Sequence, residues 1–307
     1  MNVVDQVSIN EVGLRDGLQL EPKTLTVDEK VEIFQLLKEA KIPEVEFGSF
    51  VHPKLVPQMA NTADFYSRLK VLFGNPKLVA LIPNSKGLEI AKENGVTSVN
   101  YVLSASDSHN LQNVSQTTEQ SLEGFKYLMD YATNHNMRMN VTIGTSFGCP
   151  FEGTVPPERI LTIIENLLQY NINRITLADT TGMANPKQVY HLTKSVLAEW
   201  KHFEFGCHFH NTRGMGLANI VAALESGITV FDASLGGIGG CPFAPGATGN
   251  VCTEDVVNML EEMGVGTAID LDKLIQASQK LSDILEHELP GQVAKAGKSS
   301  KLYPLPR

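Results

Sequence analysis

Short apolar runs alternate with longer amphipathic segments along the chain from its start to about residue 265. Eight of these runs have the length and residue types of buried strands, and helical sequence follows each of them. The first helix begins with a capping box formed by Thr26 and Glu29. The predicted strands cover residues 6–13, 44–50, 77–82, 98–104, 136–145, 174–178, 203–210 and 229–235. The predicted helices cover residues 26–40, 55–60, 63–73, 85–94, 117–134, 156–170, 186–200, 215–226 and 253–263.

This regular alternation predicts an α/β fold with a parallel sheet, because parallel strands need a crossover between them. Eight strand–helix units fit a closed (β/α)8 TIM barrel better than an open doubly wound sheet. The open sheet remains the alternative, but it favours a glycine fingerprint after the first strand, where this chain has GLRDG at residues 13–17. An extra amphipathic helix at 271–289 completes one domain over 1–290, and the polar residues 291–307 are expected to form a mobile tail.

The composition narrows the possible partners. The 307 residues carry a net charge of −9, which argues against a general binder of nucleic acid or of anionic membranes. No uncharged apolar run is long enough to span a membrane, and the first residues lack the pattern of a secretory signal. We therefore expect a cytoplasmic protein whose cysteines are free thiols, since they form no CxxC pair. The four cysteines are Cys149, Cys207, Cys241 and Cys252.

Two histidines one residue apart, His208 and His210, lie in a predicted strand. Side chains alternate between the two faces of a strand, so both imidazoles point the same way and can reach one divalent ion. An oxygen ligand from Asp16 or Asn250 would suit Mg²⁺, Mn²⁺ or Zn²⁺ with open positions for a substrate. The competing interpretation is a hydrogen-bonded histidine pair on a polar sheet face.

Other ionisable residues fall on the same strands or just beyond them, and barrel enzymes place their active sites at the carboxyl ends of strands. Arg15 and Asp16 follow the first strand, although such neighbours are often a surface pair. Glu46 occupies a position that would otherwise be core, where a lone carboxylate is costly. Asp179 ends the sixth strand, where the alternative is a turn-forming aspartate.

The glycine-rich segment after the eighth strand contains Cys241. It is either a small buried residue or a thiol that a flexible loop brings over a substrate. No lysine stands at the end of any predicted strand, so an aldolase that forms a Schiff base is disfavoured. A metal ion is the better electron sink for carbon–carbon chemistry here.

A series of motifs resembles those of the hydroxymethylglutaryl-CoA lyase family, in order from about residue 8 to residue 265. They are EVGLRDGLQ (11–19), SFVHPK (49–54), VPQM (56–59), GCPFEG (148–153), LADTTG (177–182), HFHNT (208–212), GGCPFA (239–244), GN (249–250) and TED (253–255). Isopropylmalate, homocitrate and citramalate synthases share the RDG and HxH elements, but are not expected to share the GGCP segment.

The resemblance implies metal-dependent retro-Claisen cleavage of 3-hydroxy-3-methylglutaryl-CoA to acetyl-CoA and acetoacetate. It implies Mg²⁺ or Mn²⁺ as cofactor, an acyl-CoA substrate and a homodimer. The metal ligands carried over by matching motif are Asp16, His208, His210 and Asn250.

The same resemblance assigns the other roles. Arg15 would neutralise charge on the thioester oxygen, and Cys241 would protonate the acetyl-CoA carbanion. Glu46 and Asp179 would bind and orient the substrate or move protons, and His208 counts among the catalytic residues besides its metal role.

Two departures from the family pattern leave other functions open. Asn211 stands where these lyases usually carry aspartate, and we expect it to support the histidines. Phe47 and Gly48 replace small polar residues beside Glu46, so the identity of the substrate's acyl group is left open. The alternatives are a synthase or metal aldolase that acts on a 2-keto acid, and a metal-binding barrel without catalysis.

Overall fold

The computed structural model describes residues 4–72, 74, 76–240, 249–302 and 304. Its strands form a closed barrel in the order β1 to β8, and β8 pairs with β1. Every strand pair of the barrel is parallel. The predicted (β/α)8 barrel is confirmed and the open sheet is excluded. The strands are β1 Ser8–Glu11, β2 Glu44–Ser49, β3 Lys77–Ile82, β4 Ser98–Ser104, β5 Arg138–Gly144, β6 Arg174–Asp179, β7 Phe205–Phe209 and β8 Val230–Ala233.

The helices surround the barrel, and every predicted helix except 55–60 is present as an α-helix. Thr26 and Glu29 make the predicted capping box at the start of α1, with the Thr26 N–H donating to Glu29 Oε2 over 2.7 Å. The helices are α1 Val27–Glu39, α2 Thr62–Leu69, α3 Ser85–Glu93, α4 Asp107–Val114, α5 Thr118–Asn134, α6 Pro157–Leu167, α7 Pro186–Glu199, α8 Gly216–Ser226, α9 Thr253–Glu262, α10 Leu271–Leu285 and α11 Val293–Ala296. The predicted segment 55–60 is a short 3-10 turn, Pro57–Met59.

Two helices were not predicted, and one ends earlier than expected. In α4 the sequence DSHNLQNV offers too few apolar residues for an amphipathic stripe. The one-turn helix α11 lies in the segment for which the pattern predicted no element. The extra helix α10 stops at Leu285 because Glu286 adopts a left-handed conformation with φ of 62°.

The register between neighbouring strands decides which side chains lie next to each other inside the barrel. In the pairing of β2 with β3 the register shifts between Glu46 and Gly48, which marks a bulge. Opposite these strands, Ala178 of β6 pairs with His208 of β7, which in turn pairs with Asp232 of β8. Polar side chains from distant parts of the sequence therefore lie side by side inside the barrel.

No helix within the described ranges is long and apolar enough to cross a membrane. Three of the four cysteines, Cys149, Cys207 and Cys252, are buried and free, as predicted.

Candidate active site

The turn that follows β1 presents two of the predicted site residues. Residues Gly13–Gly17 form one π-helical turn, in which the N–H groups of Arg15 and Asp16 both donate to the carbonyl of Val12. Isolated π turns often mark functional sites, because they widen the backbone locally. Arg15 and Asp16 are buried, so the interpretation as a surface pair is wrong.

Asp16, His208 and His210 converge at the carboxyl end of the barrel. The two imidazole Nε2 atoms lie 3.1 Å apart, and Asp16 Oδ2 is 4.0 Å from His208 Nε2 and 3.9 Å from His210 Nε2. Asn250 forms an isolated bridge with His210, and its Nδ2 donates to Asp16 Oδ2 over 2.7 Å. The structure thus brings together all four predicted metal ligands.

This cluster has the chemistry of a divalent-metal site. Ligand atoms of Asp16, His208 and His210 all lie within 4.8 Å of one another. Their separations of 3 to 4 Å are those of atoms that share one ion at roughly 2.1 Å. Asn250 Oδ1 is buried and has no hydrogen-bond partner among the described residues, so an acceptor is left over at the site. The residues present therefore fit a metal ion with two imidazole and one or two oxygen ligands.

The charge of Asp16 is secured by its neighbours. Burial alone would raise the pKa of this carboxyl, but Arg15, both histidines and Asn250 outweigh burial and lower it to about 2. The Asp16 Oδ1 atom accepts from Arg15 Nη1 over 2.5 Å and from Gln19 Nε2 over 3.1 Å. Oδ2 is therefore the oxygen that faces the imidazoles.

Asp232 belongs to the site although it was not predicted. Its Oδ2 lies 3.3 Å from His208 Nδ1, and its Oδ1 accepts from Asn10 Nδ2 over 2.9 Å. A carboxylate on the Nδ1 side fixes the imidazole so that Nε2 faces the cluster, the usual support of a metal-bound histidine. The signal was available in the sequence, because Asp232 interrupts an apolar strand just as Glu46 does.

Arg15 is held from a second direction by Glu46. The Arg15 Nε donates to Glu46 Oε1, and Asn100 Nδ2 donates to Glu46 Oε2 over 2.8 Å. Burial raises the pKa of Glu46, although Arg15 and Asn100 act in the opposite direction. Glu46 is therefore not a lone carboxylate: it orients the guanidinium. Asn100, which sits on β4, was not identified from the sequence.

Asp179 lies at the same end of the barrel, and it also has the turn-forming role that was the alternative interpretation. Its Oδ1 accepts from the N–H groups of Met183 and Ala184, over 2.8 and 3.1 Å, so it does form the turn after β6. Its Oδ2 is buried and has no hydrogen-bond partner within the described part of the chain. Burial raises the pKa of Asp179 to about 6, against the opposing effects of Met183, Ala184 and His208.

The remaining predicted residues divide into two groups. Cys241, the predicted proton donor, lies outside the described residues. Asn211 Oδ1 accepts from the Gly216 N–H at the start of α8, and its expected support of the histidines stays a prediction. Phe47 stacks on Tyr66 at 5.0 Å, and a Cβ at Gly48 would lie 2.7 Å from Thr62 Oγ1. Both face α2, and neither lines the cavity beside Asp16 and the histidines.

A cavity of about 480 Å³ opens beside Asp16 and the histidines. The segment after β2 supplies mainly apolar side chains to the lining, and β4, β5 and α4 supply mainly polar ones. The apolar residues include Val51, Leu55, Val56 and Met59, and the polar residues include Asn100, Ser104, His109 and Thr142. A ligand that has both polar and apolar parts matches this lining.

His109 enters the cavity wall through the unpredicted helix α4. Its Nδ1 lies 2.7 Å from Ser104 Oγ, and the residue is 3% exposed. Burial lowers the pKa of His109 from 6.5 to about 4. The folded protein therefore holds this imidazole neutral down to about pH 4, whereas the unfolded chain binds a proton there below about pH 6.5.

This difference predicts a pH-dependent loss of stability. Between about pH 6.5 and 4 the unfolded state binds more protons at His109, so lowering the pH destabilises the fold. Between pH 7 and 5 the free energy of unfolding should fall by about 1–2 kcal/mol more in the unsubstituted protein than in His109→Gln. Urea unfolding of both proteins at both pH values measures this difference. Equal losses in the two proteins would contradict the assignment to His109.

Comparison with known proteins identifies the family. A family model described as HMGL-like matches residues 6–281. The chain belongs to the HMGL-like family. This HMGL-like chain is 40% identical over 295 residues to the hydroxymethylglutaryl-CoA lyase YngG of Bacillus subtilis, covering 96% of this chain and 98% of that protein. It is 43% identical over 304 residues to the (R)-citramalyl-CoA lyase of Chloroflexus aurantiacus, covering 96% of each.

Solved structures agree with this assignment. An HMG-CoA lyase from Acinetobacter baumannii, in complex with coenzyme A and 3-methylmalate, superposes with a TM-score of 0.94 at 45% identity and covers 98% of both chains. The resemblance stated from the motifs is therefore confirmed for this HMGL-like protein. Its relatives are carbon–carbon lyases, and their barrels match this one along nearly its whole length.

Proposed function

We propose that the protein is a carbon–carbon lyase that cleaves 3-hydroxy-3-methylglutaryl-CoA to acetyl-CoA and acetoacetate with Mg²⁺ or Mn²⁺. The observation that carries this proposal is the joint position of Asp16, His208 and His210 with the guanidinium of Arg15 directly beside them. One part of the site suits a metal ion, and the adjacent part suits an oxygen that becomes negative. The named hydroxymethylglutaryl-CoA lyases among the relatives support the substrate.

The reaction is a retro-Claisen cleavage that needs no co-reactant. The C3 hydroxyl of the substrate loses its proton and becomes the ketone oxygen of acetoacetate. The electron pair of the C2–C3 bond passes to the acetyl-CoA enolate, which takes up one proton at carbon. When bound by Asp16, His208, His210 and Asn250, a divalent ion would lower the pKa of that hydroxyl.

The residues of this chain would divide the remaining work. Arg15 would donate to the thioester oxygen and offset its negative charge, an oxyanion-hole role. Glu46 would keep Arg15 in place through their ion pair. Asp179, with a pKa of about 6 and one oxygen unpartnered among the described residues, would take the hydroxyl proton. Cys241 would return a proton to the enolate carbon.

A second candidate substrate is (R)-citramalyl-CoA, which would give pyruvate and acetyl-CoA by the same bond cleavage. The identity of 43% to a citramalyl-CoA lyase favours it. The two substrates share a tertiary hydroxyl, a carboxylate and the thioester, and differ by one methylene between hydroxyl and carboxylate. A difference of one methylene supports only modest discrimination in a binding site, so direct comparison is needed.

The deciding experiment offers each thioester to the purified protein with Mg²⁺ or Mn²⁺. Acetoacetate and pyruvate are measured by separate NADH-coupled assays, and acetyl-CoA by mass spectrometry. We expect acetoacetate from hydroxymethylglutaryl-CoA, and the ratio of kcat/KM values ranks the two substrates. The matched control is Cys241→Ser, which should retain the circular dichroism spectrum and lose product formation.

Each outcome has a clear meaning. Pyruvate alone would replace the first substrate with the second, and no product from either thioester would overturn the lyase proposal. Release of free CoA from acetyl-CoA and a 2-keto acid would instead indicate the synthase alternative. A fully active Cys241→Ser protein would remove Cys241 from the proton transfer.

The metal identity, the compartment and the assembly belong to the same proposal. The oxygen ligands favour Mg²⁺ or Mn²⁺, and comparison of the two ions in the assay decides between them. Relatives are named both for the mitochondrion and for the cytoplasm, and we propose the cytoplasm for this chain. The homodimer rests on family resemblance, and light scattering of the purified protein tests it.

A further inference from the structure

Glu11, the last residue of β1, is a fully buried carboxyl group that the proposed reaction does not use. Its Oε1 accepts from the N–H of Gly13 over 2.7 Å and from the N–H of Leu235 over 2.8 Å. Its Oε2 accepts from Thr253 Oγ1 over 2.6 Å. One side chain therefore joins three chain segments, and the first of them is more than 200 residues from the other two.

These three segments lead directly to the candidate metal ligands. Gly13 begins the π-helical turn that carries Asp16. Leu235 follows β8 and begins the segment that leads into the glycine-rich region, and Thr253 begins α9 shortly after Asn250. Glu11 thus contacts the supports of Asp16 on one side and those of Asn250 on the other.

The glycine at position 13 is what allows this approach. A Cβ built at Gly13 would lie 2.5 Å from Glu11 Oε1, closer than real contacts allow, and 3.2 Å from the Leu235 nitrogen. Any larger residue would push the carboxyl group away from the turn. The absence of a side chain at Gly13 and the position of Glu11 are therefore two parts of one arrangement.

The contacts do not depend on the charge of Glu11. Burial raises its pKa to about 7, while the hydrogen bonds from Thr253, Leu235 and Gly13 oppose that rise. The Thr253 hydroxyl can donate to the carboxylate or accept from the carboxylic acid, so all three bonds persist in both forms.

We propose that Glu11 is a positioning residue that holds the turn bearing Asp16 against the segments flanking Asn250. It thereby keeps the distance between these two candidate metal ligands fixed. It acts through main-chain groups and does not touch the substrate. Its removal should weaken divalent-metal binding in addition to any loss of stability. This inference rests on the proposed function only where enzyme activity is measured.

The test measures Mn²⁺ affinity by titration calorimetry in Glu11→Ala, Glu11→Gln and Gly13→Ala. Glu11→Ala should weaken binding about tenfold or more, as loss of a ligand's support does. Glu11→Gln should change it by less than about threefold, because the amide oxygen accepts the same two N–H groups and the amide nitrogen can donate to Thr253. Gly13→Ala should resemble Glu11→Ala, and the double variant should be no worse than either.

Glu44→Gln is the matched control. Glu44 is also a buried glutamate, 8% exposed, but it pairs with Arg174, and these two residues begin β2 and β6. This variant should lose thermal stability and keep its Mn²⁺ affinity. A Glu11→Ala protein that is destabilised but binds Mn²⁺ normally would overturn the proposal, as would an unsubstituted protein that binds no Mn²⁺.

Activity provides an independent measurement. In Glu11→Ala, kcat at saturating Mn²⁺ should recover at least partly, because the catalytic groups themselves remain. If the unsubstituted protein cleaves no thioester, the proposed function fails, while the Mn²⁺ affinities still decide the role of Glu11. If Glu11→Ala does not fold, Gly13→Ala carries the same expectation, and normal Mn²⁺ binding by that folded variant would count against the proposal.

Discussion

Replacing Arg15 with glutamine is expected to lower kcat for thioester cleavage by about three orders of magnitude. Arg15 is the buried cation beside the metal cluster, and both Asp16 and Glu46 hold its guanidinium. A neutral amide cannot offset the charge that grows on the thioester oxygen in a site shielded from water. Steady-state kinetics with the preferred thioester measures the loss, and KM should change far less than kcat.

A lysine at position 15 should recover only part of this activity. Lysine keeps the charge but cannot bind two carboxylates with a planar fork, so the cation would no longer be fixed between Asp16 and Glu46. Arg174→Gln is the matched control, because Arg174 is also buried and is ion-paired with Glu44, and these two residues begin their strands. It should lower stability and leave kcat within a small factor. An Arg15→Gln protein with more than about a tenth of normal kcat would exclude the oxyanion role.

The sequence was sufficient to predict the barrel and the residues at the ends of its strands. The periodic alternation of strands and helices determined the architecture, and the HxH spacing placed two imidazoles on one face. Strand topology left either Asp16 or Asn250 as the oxygen ligand, and the family resemblance implied both. Apart from the resemblance, these inferences rest on the periodicity of residues along the chain and on the topology of the barrel.

Pairings between strands were harder to predict. Asp232 supports His208, and Asn100 supports Glu46 across the barrel interior, yet no spacing along the chain connects the members of either pair. Their partners are set by strand register, which only the folded barrel defines. Asn211 is another example, because its Oδ1 accepts a hydrogen bond from the N–H of Gly216 in α8, a contact that no motif in the sequence indicated.

Some residues have two roles, and an interpretation of the sequence that assigns only one role to each residue misses the other. Asp179 closes the turn after β6 with one oxygen and leaves the other without a partner among the described residues. The α4 helix lacked an apolar stripe because much of its inner face lies against the cavity rather than the core. Functional surfaces inside a fold therefore weaken the hydrophobic patterns on which prediction depends.

Asp16→Asn is expected to reduce Mn²⁺ affinity by about 100-fold or more, beyond the usual effect of removing a ligand's support. With a pKa of about 2, Asp16 is ionised throughout the pH range of ordinary assays, so the substitution removes one full negative charge from the cluster. It also weakens the hydrogen bond that Arg15 Nη1 donates to Oδ1, because the acceptor is no longer charged. Titration calorimetry gives the affinity, and the rise in melting temperature caused by Mn²⁺ gives a second measurement that needs no substrate.

A graded set of aspartates separates direct coordination from general electrostatics. Asp232→Asn should weaken Mn²⁺ binding by about 10- to 100-fold, because Asp232 supports His208 from its Nδ1 side without facing the cluster. Asp28→Asn, which alters an exposed pair with Arg68 on the outside of the barrel, should have no effect. The expected order of loss is therefore Asp16, then Asp232, then Asp28. An Asp232 variant that lost as much affinity as the Asp16 variant would indicate that net charge, rather than the geometry of the ligand atoms, governs binding. Unchanged affinity in Asp16→Asn would remove Asp16 from the metal site.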